Sequence, residues 1–117
     1  MEKKIVSEEE ITGHRSKLGG TIKELIRGEK LHLLIGYLEP GEQMKLHYHT
    51  VPEEVYYTLK GNGEMILGEE RLRLRPGVAV YIPPGTLHAP MNTGTEPLVI
   101  GFFHAPPETG EYIVEKQ

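Results

Sequence analysis

The stretch HYHTVPEE, residues 47–54, contains the two features that decide how this chain is interpreted. His47 and His49 are separated by one residue, and side chains two apart on a β-strand point to the same face. The two imidazoles can therefore converge on one ion. Taken alone, such a pair is more often incidental than ligating, so the stretch indicates either a metal site or a polar strand that contains histidine.

The carboxylate that follows this pair raises a question of orientation. Regular alternation from His49 would place Glu53, not Glu54, on the histidine face. Proline cannot donate a ladder hydrogen bond, so Pro52 predicts a bulge or turn, and a bulge shifts the facing by one residue. We therefore expect Glu54 to face inward with Tyr56 and Thr58. The opposite face would then carry an apolar stripe of Val55, Tyr57 and Leu59.

The surrounding sequence predicts short strands and tight turns instead of long helices. Fourteen glycines and nine prolines are distributed over 117 residues. Apolar and β-branched runs recur at intervals of about 8–12 residues, which favours a single all-β sandwich or barrel. The segments LEPG at 38–41 and LRPG at 74–77 also repeat. Such a pair fits the two similar Greek-key halves of a jelly roll.

Composition excludes several other kinds of protein. The chain has no cysteine, so disulfides and thiolate ligands are excluded. The N-terminus MEKKIVSEEE lacks the apolar core of a signal peptide, and no apolar run approaches the roughly 20 residues that span a bilayer. The net charge is −4 with both signs interspersed, which offers no basic surface for nucleic acid. We expect a cytoplasmic protein without membrane or nucleic-acid partners.

A third imidazole, His88, follows the turn PPGT at 83–86. Pro84 and Gly85 suit the central positions of a type II turn, which would place His88 at the start of the next strand. Three imidazoles and one carboxylate would leave open positions on a six-coordinate ion. Nitrogen and oxygen ligands of this kind suit iron, manganese, nickel, copper or zinc.

Two longer motifs enclose all of these residues. Residues 41–61 read GEQMKLHYHTVPEEVYYTLKG, and residues 77–92 read GVAVYIPPGTLHAPMN. They resemble the two motifs of the cupin superfamily, G-x5-H-x-H-x4-E-x6-G and G-x5-P-x-G-x2-H-x3-N, at every defined position. Fifteen residues separate them, which is similar to the spacing in small single-domain cupins of the type-2 conserved-barrel kind.

This resemblance implies a single jelly-roll β-barrel of two antiparallel sheets over residues 1–117, with residues 1–20 as an N-terminal arm. It implies one divalent transition metal held by His47, His49, Glu54 and His88. Fold does not by itself specify the reaction. Cupins include dioxygenases, isomerases, cyclases, decarboxylases and lyases, so we favour a metal-dependent enzyme acting on an oxygen-rich small molecule. The alternative is a non-catalytic module that binds a metal, a sugar or an effector.

Other residues have two interpretations each. Tyr56 either presents its hydroxyl to the pocket or packs in the core. Lys45 shares strand parity with His47 and lies either at the pocket mouth or in solvent. His104 either lines the cavity or occupies a surface or interface. Asn92 is expected to organise a turn. The apolar outer stripe and the family resemblance together predict a homodimer.

Overall fold

The computed structural model describes residues 4–115, which form β-strands almost throughout. A single 3-10 turn, Glu8–Glu10, precedes the strands, and the side chain of Ser7 caps it by accepting from the amide of Glu9. The strands in chain order are β1 His14–Arg15, β2 Thr21–Arg27, β3 His32–Leu38, β4 His47–Tyr48, β5 Glu53–Lys60, β6 Gly63–Leu67, β7 Glu70–Leu74, β8 Ala79–Ile82, β9 His88–Asn92, β10 Leu98–Ala105 and β11 Ile113–Val114.

The strands form two antiparallel sheets that face each other. One sheet has six strands in the order β1-β2-β3-β10-β5-β8, and the other has five in the order β11-β4-β9-β6-β7. Sequence neighbours β4 and β5 therefore lie in different sheets, as β9 and β10 do. This arrangement confirms the predicted all-β jelly roll of two antiparallel sheets.

The core fills the space between the two sheets. Met65 and Leu74 from the five-stranded sheet are inaccessible to solvent, as are Ile82 and Leu98 from the six-stranded sheet. Fully burying an aliphatic side chain of this size contributes about 1.5–3 kcal/mol. This apolar core holds the two sheets together around the polar cluster described below.

The crossing between the sheets sets the orientation of the first strand of the site. Glu54, Tyr56 and Thr58 are buried on β5, whereas Tyr57 and Leu59 are exposed, as the sequence predicts. This orientation results from a change of sheet and not from a bulge within one strand. The chain leaves the five-stranded sheet after β4, passes the buried Pro52, and enters the six-stranded sheet at β5.

Two residues at the ends of the sequence motifs have structural roles. The Asn92 side-chain amide donates to the carbonyls of Leu38 and Glu96, each at 2.8 Å, and its oxygen accepts from the amide of Gly94 at 2.9 Å. Asn92 therefore organises the loop after β9, as expected. Gly61 has φ +85°, and a Cβ there would collide with the backbone of Pro97 and Leu98.

Residues 106–115, here called the C-terminal strap, return along the barrel after β10. Its strand β11 pairs with β4, and the amide of Glu115 donates to the carbonyl of Leu46 at 3.0 Å. Near the start of the strap, the guanidinium of Arg27 donates to the carbonyl of Glu108 at 2.8 Å. These bonds join the strap to β4, which carries His47, and to the end of β2. Among the described residues, no helix is long and apolar enough to cross a membrane.

Candidate metal centre

Five buried side chains converge at one end of the space between the sheets. His47 on β4 and His88 on β9 are cross-strand partners in the five-stranded sheet, and His49 follows β4 directly. Glu54 on β5 and His104 on β10 are cross-strand partners in the six-stranded sheet. Each of the five is at most 6% exposed. The centre therefore draws residues from both sheets.

The potential ligand atoms fall into two overlapping groups. His47, His49 and His88 form one group, and His49, Glu54 and His104 form the other; within each, the ligand atoms lie within 4.8 Å of one another. Glu54 connects the groups, because its Oε2 lies 3.3 Å from Nε2 of His88 and its Oε1 lies 2.7 Å from Nε2 of His104. The structure thus brings together the four residues of the predicted ligand set and adds His104.

Backbone carbonyls determine the tautomer of the three histidines in the sequence motifs. Each ring places its Nδ1 against a carbonyl oxygen. The pairs are His47 with Lys45 at 2.6 Å, His49 with Glu111 at 3.1 Å, and His88 with Thr86 at 2.9 Å. A carbonyl oxygen can only accept, so each Nδ1 carries the proton and each Nε2 keeps a lone pair. This is the arrangement found around histidines that bind metals through Nε2.

Three buried polar atoms in the cluster have no hydrogen-bond partner among the described residues: Glu54 Oε1, His88 Nε2 and His104 Nδ1. The short approach of His104 to Oε1 does not have hydrogen-bond geometry. Buried polar groups are nearly always paired, and an unpaired one often marks the place of a bound ion or water. A carboxylate oxygen and an imidazole lone pair can both donate to the same cation. The residues present therefore fit a divalent transition metal.

Burial sets the protonation states of the cluster. It lowers the pKa of His47 to about 4 and that of His88 to about 3. It likewise lowers the pKa of His104 to about 4 and raises that of Glu54 to about 7. Neutral imidazole is the form that binds metals, so these three rings need no deprotonation near pH 7. A cation beside Glu54 would favour its ionised form and offset the cost of burying it.

A cavity of about 140 Å³ borders the cluster, and His47, His49 and His104 form part of its wall. Tyr56 also lines the cavity, and its ring packs in the core with its centroid 4.3 Å from that of Phe102. Burial raises the pKa of Tyr56 well above its ordinary value, which keeps its hydroxyl protonated. Lys45 lies elsewhere: its side chain is exposed and borders a separate groove.

Several wall residues have no signal in the sequence motifs. Glu108 and Tyr112 of the C-terminal strap line the cavity, and the ring of Tyr112 lies 6.2 Å from that of His47. Their closeness to the cluster depends on the path of the strap, which the motifs do not specify. The pairing of β11 with β4 sets the path of the strap near its C-terminal end.

A further histidine, His32, lies behind His104 with the two ring centroids 5.6 Å apart. His32 is buried, its Nε2 lies 2.5 Å from Oε1 of Glu24, and its Nδ1 accepts from the amide of Glu108 at 3.2 Å. The sequence alone indicates no partner for it. The cross-strand register of β3 with β10 places it beside the cluster.

Known proteins share this architecture. A family model described as Cupin domain matches residues 34–104. An uncharacterized protein of Methanocaldococcus jannaschii, MJ1618, is 36% identical over 108 residues, which covers 88% of this chain and 86% of that one. Glucose-6-phosphate isomerase of Thermococcus gammatolerans is 47% identical over 62 residues, and the match covers 47% of this chain and 33% of the isomerase. The match therefore spans about half of this chain and about a third of that enzyme.

Among solved structures, the polyketide cyclase RemF of Streptomyces resistomycificus superposes with a TM-score of 0.84 at 18% identity. The superposition covers 98% of this chain and 87% of the cyclase. At this level of identity the likeness concerns the fold.

Proposed function

The chain belongs to the cupin family, and on that premise we propose that it is a metal-dependent enzyme acting on an oxygen-rich small molecule. His47, His49, Glu54 and His88 would hold one divalent transition metal: iron, manganese, nickel, copper or zinc. The observation that carries this proposal is the geometry of the rings. Three Nδ1 atoms are bonded to backbone carbonyls, while Glu54 Oε1 and His88 Nε2 stay buried and unpaired.

Bound at this centre, the ion would supply Lewis-acid chemistry toward a substrate carboxylate, carbonyl or enediol, and a redox-active ion could also use oxygen. The residues of the chain would exclude water and hydrogen-bond to the substrate. The apolar wall of the cavity would exclude water around the substrate, and the protonated hydroxyl of Tyr56 would be a hydrogen-bond donor. Dioxygenase, isomerase, cyclase, decarboxylase and lyase reactions all fit this site. The isomerase relative favours rearrangement without oxygen.

The experiment that tests this proposal is metal analysis of protein purified without an affinity tag, followed by screening for oxygen uptake and for isomerisation of hydroxy-carbonyl compounds. We expect about one ion per chain, lost in the double variant His47→Ala, His49→Ala. Full metal retention in that variant would overturn the metal centre. Metal and ligand binding without turnover would favour the alternative, a non-catalytic binding module.

We also infer that a second copy of the chain covers the outer face of the six-stranded sheet. Tyr57, Tyr81 and Phe103 on neighbouring strands are 41%, 54% and 42% exposed. The register places Phe103 and Tyr81 on either side of Val55, so the apolar side chains form a continuous patch. Contiguous apolar patches of this kind mark association sites, and identical chains usually pair about a two-fold axis.

A further inference from the structure

We propose that the cavity beside the candidate metal centre takes an uncharged ring compound with neighbouring hydroxyl and carbonyl oxygens, and that it discriminates against phosphorylated substrates. This inference rests on the proposed function, because the substrate oxygens are those that would reach the metal. It is carried by the chemistry of the cavity wall.

The walls are mainly apolar, and the cavity is small. Besides the histidines at one end, the lining includes Leu18, Ile22, Leu34, Met44, Phe102 and Tyr112. Its volume of about 140 Å³ is close to the roughly 150 Å³ of an apolar protein cavity that binds benzene. A single six-membered ring therefore matches both the size and the polarity of the walls.

The charged groups around the cavity disfavour an anion. No lysine or arginine lines it among the described residues, whereas the carboxylate of Glu108 does. A phosphate monoester carries about −1.5 to −2 charges at pH 7 and is usually bound by arginine, lysine or a helix N-terminus. Arg15 and Arg27 on nearby strands form surface ion pairs, at 2.7 Å with Glu42 and 2.8 Å with Glu24. Neither arginine lines the cavity, so neither is placed to neutralise a phosphate inside it.

The preference for an uncharged ring separates the chain from the isomerase to which it is similar. The name of that enzyme specifies a phosphorylated sugar as its substrate, and the matched segment covers 33% of its length. The wall of this cavity offers an apolar ring site and, among the described residues, no lysine or arginine for a phosphate.

The test uses two probes that differ by phosphorylation of one hydroxyl: 2-hydroxyacetophenone with its hydroxyl on the ring, ortho to the acetyl group, and the phosphate ester of that hydroxyl, 2-acetylphenyl phosphate. Glucose 6-phosphate is the third probe. Affinities are measured by isothermal titration calorimetry on zinc-loaded protein, with zinc content determined on the same sample. We expect 2-hydroxyacetophenone to bind at least about tenfold more tightly than either phosphate, equivalent to about 1.4 kcal/mol. A phosphate that binds as tightly as 2-hydroxyacetophenone would overturn the inference.

Titration of the metal-free protein separates this inference from the proposed function. Failure of zinc to bind would overturn the metal centre, but the apolar walls would remain. Preferential binding of 2-hydroxyacetophenone by the metal-free protein would then still support the cavity assignment. Its failure to bind either form of the protein would overturn that assignment.

A matched pair of variants tests the role of charge. Glu108→Gln removes a carboxylate from the wall and keeps an oxygen that can accept from the amide of Gly110. Glu69→Gln removes the same charge from the exposed turn between β6 and β7. We expect the phosphate ester to bind about threefold or more tightly in Glu108→Gln, because a like charge has been removed, and unchanged in Glu69→Gln. Equal effects in the two variants would contradict a local role for Glu108.

Discussion

Oε1 of Glu54 lies 2.7 Å from Nε2 of His104 on the neighbouring strand, yet the two atoms do not form a hydrogen bond. Oε2 of the same carboxylate lies 3.3 Å from Nε2 of His88 on the facing sheet. Glu54 is therefore the residue at which the two groups of potential ligands meet, and it is the natural place to test the centre.

Replacing Glu54 by glutamine should weaken metal binding by at least about tenfold, the usual cost of losing a ligand or its close support. The matched control is Glu53→Gln. Glu53 is exposed on the opposite face of β5 and its loss should leave metal affinity nearly unchanged. Competition with a chromophoric chelator measures both affinities. A larger effect from Glu53→Gln would contradict the inward orientation of Glu54.

The stability of the metal-free protein should fall on acidification below about pH 6.5. Burial lowers the pKa of His47, His88 and His104 to about 4, 3 and 4, so between these values and about 6.5 the unfolded chain binds protons that the folded chain does not. Glu54, with its pKa raised to about 7, opposes this because its folded form binds a proton first. The three histidines destabilise the folded state on acidification and the one glutamate stabilises it, so the net effect is a loss of stability.

The measurement is the thermal midpoint of the metal-free protein at pH 7.5 and pH 5.0. We expect a lower midpoint at pH 5.0 and a smaller decrease in His104→Gln, which removes one of the three protonation events. A midpoint that stays constant or rises on acidification would contradict the neutral state of the buried rings.

The homodimer can be tested on the outer face of the six-stranded sheet. Tyr57→Glu places a charge among exposed apolar side chains and should convert a dimer into a monomer of 13.2 kDa. Sedimentation equilibrium over a range of concentrations measures the mass. Lys60→Glu, an exposed charge reversal at the end of the same strand, is the comparison and should stay dimeric. A wild type that remains monomeric at millimolar concentration would end this proposal.

Gly61 should tolerate alanine less well than Gly68. Both have positive φ, at +85° and +60°, which costs a residue with a Cβ about 1–3 kcal/mol. At Gly61 the new Cβ would also meet the backbone of Pro97 and Leu98, whereas at Gly68 nothing lies within 4 Å. Urea unfolding of Gly61→Ala and Gly68→Ala should show the larger loss in the former. Equal losses of stability would mean that the backbone of Pro97 moves to accommodate the new Cβ at position 61.

The sequence predicts the part of the site that depends on local spacing. His47, His49 and Glu54 are close along the chain, and the crossing at Pro52 orients them in the way the motif indicates. The motif also predicts His88, because the cross-strand pairing of β4 with β9 brings it opposite His47. These positions follow from short segments whose geometry is strongly constrained.

The remainder of the site depends on contacts between distant segments. His104 faces Glu54 because of the register of β10 with β5, which no short motif specifies. Glu108 and Tyr112 reach the cavity only through the strap. Lys45 does not follow the strand parity of His47, because β4 begins at His47 and the chain before it is bonded irregularly, with the Lys45 amide donating to the carbonyl of Leu18.

The C-terminal strap contacts residues of the candidate metal centre. Its Glu111 carbonyl holds Nδ1 of His49, and its strand pairs with the strand that carries His47. Docking of the strap and occupancy of the centre are therefore thermodynamically linked, and such linkage is reciprocal. Removing the strap would therefore lower metal affinity without altering any of the four predicted ligands, and loss of the metal would weaken docking of the strap by the same free energy.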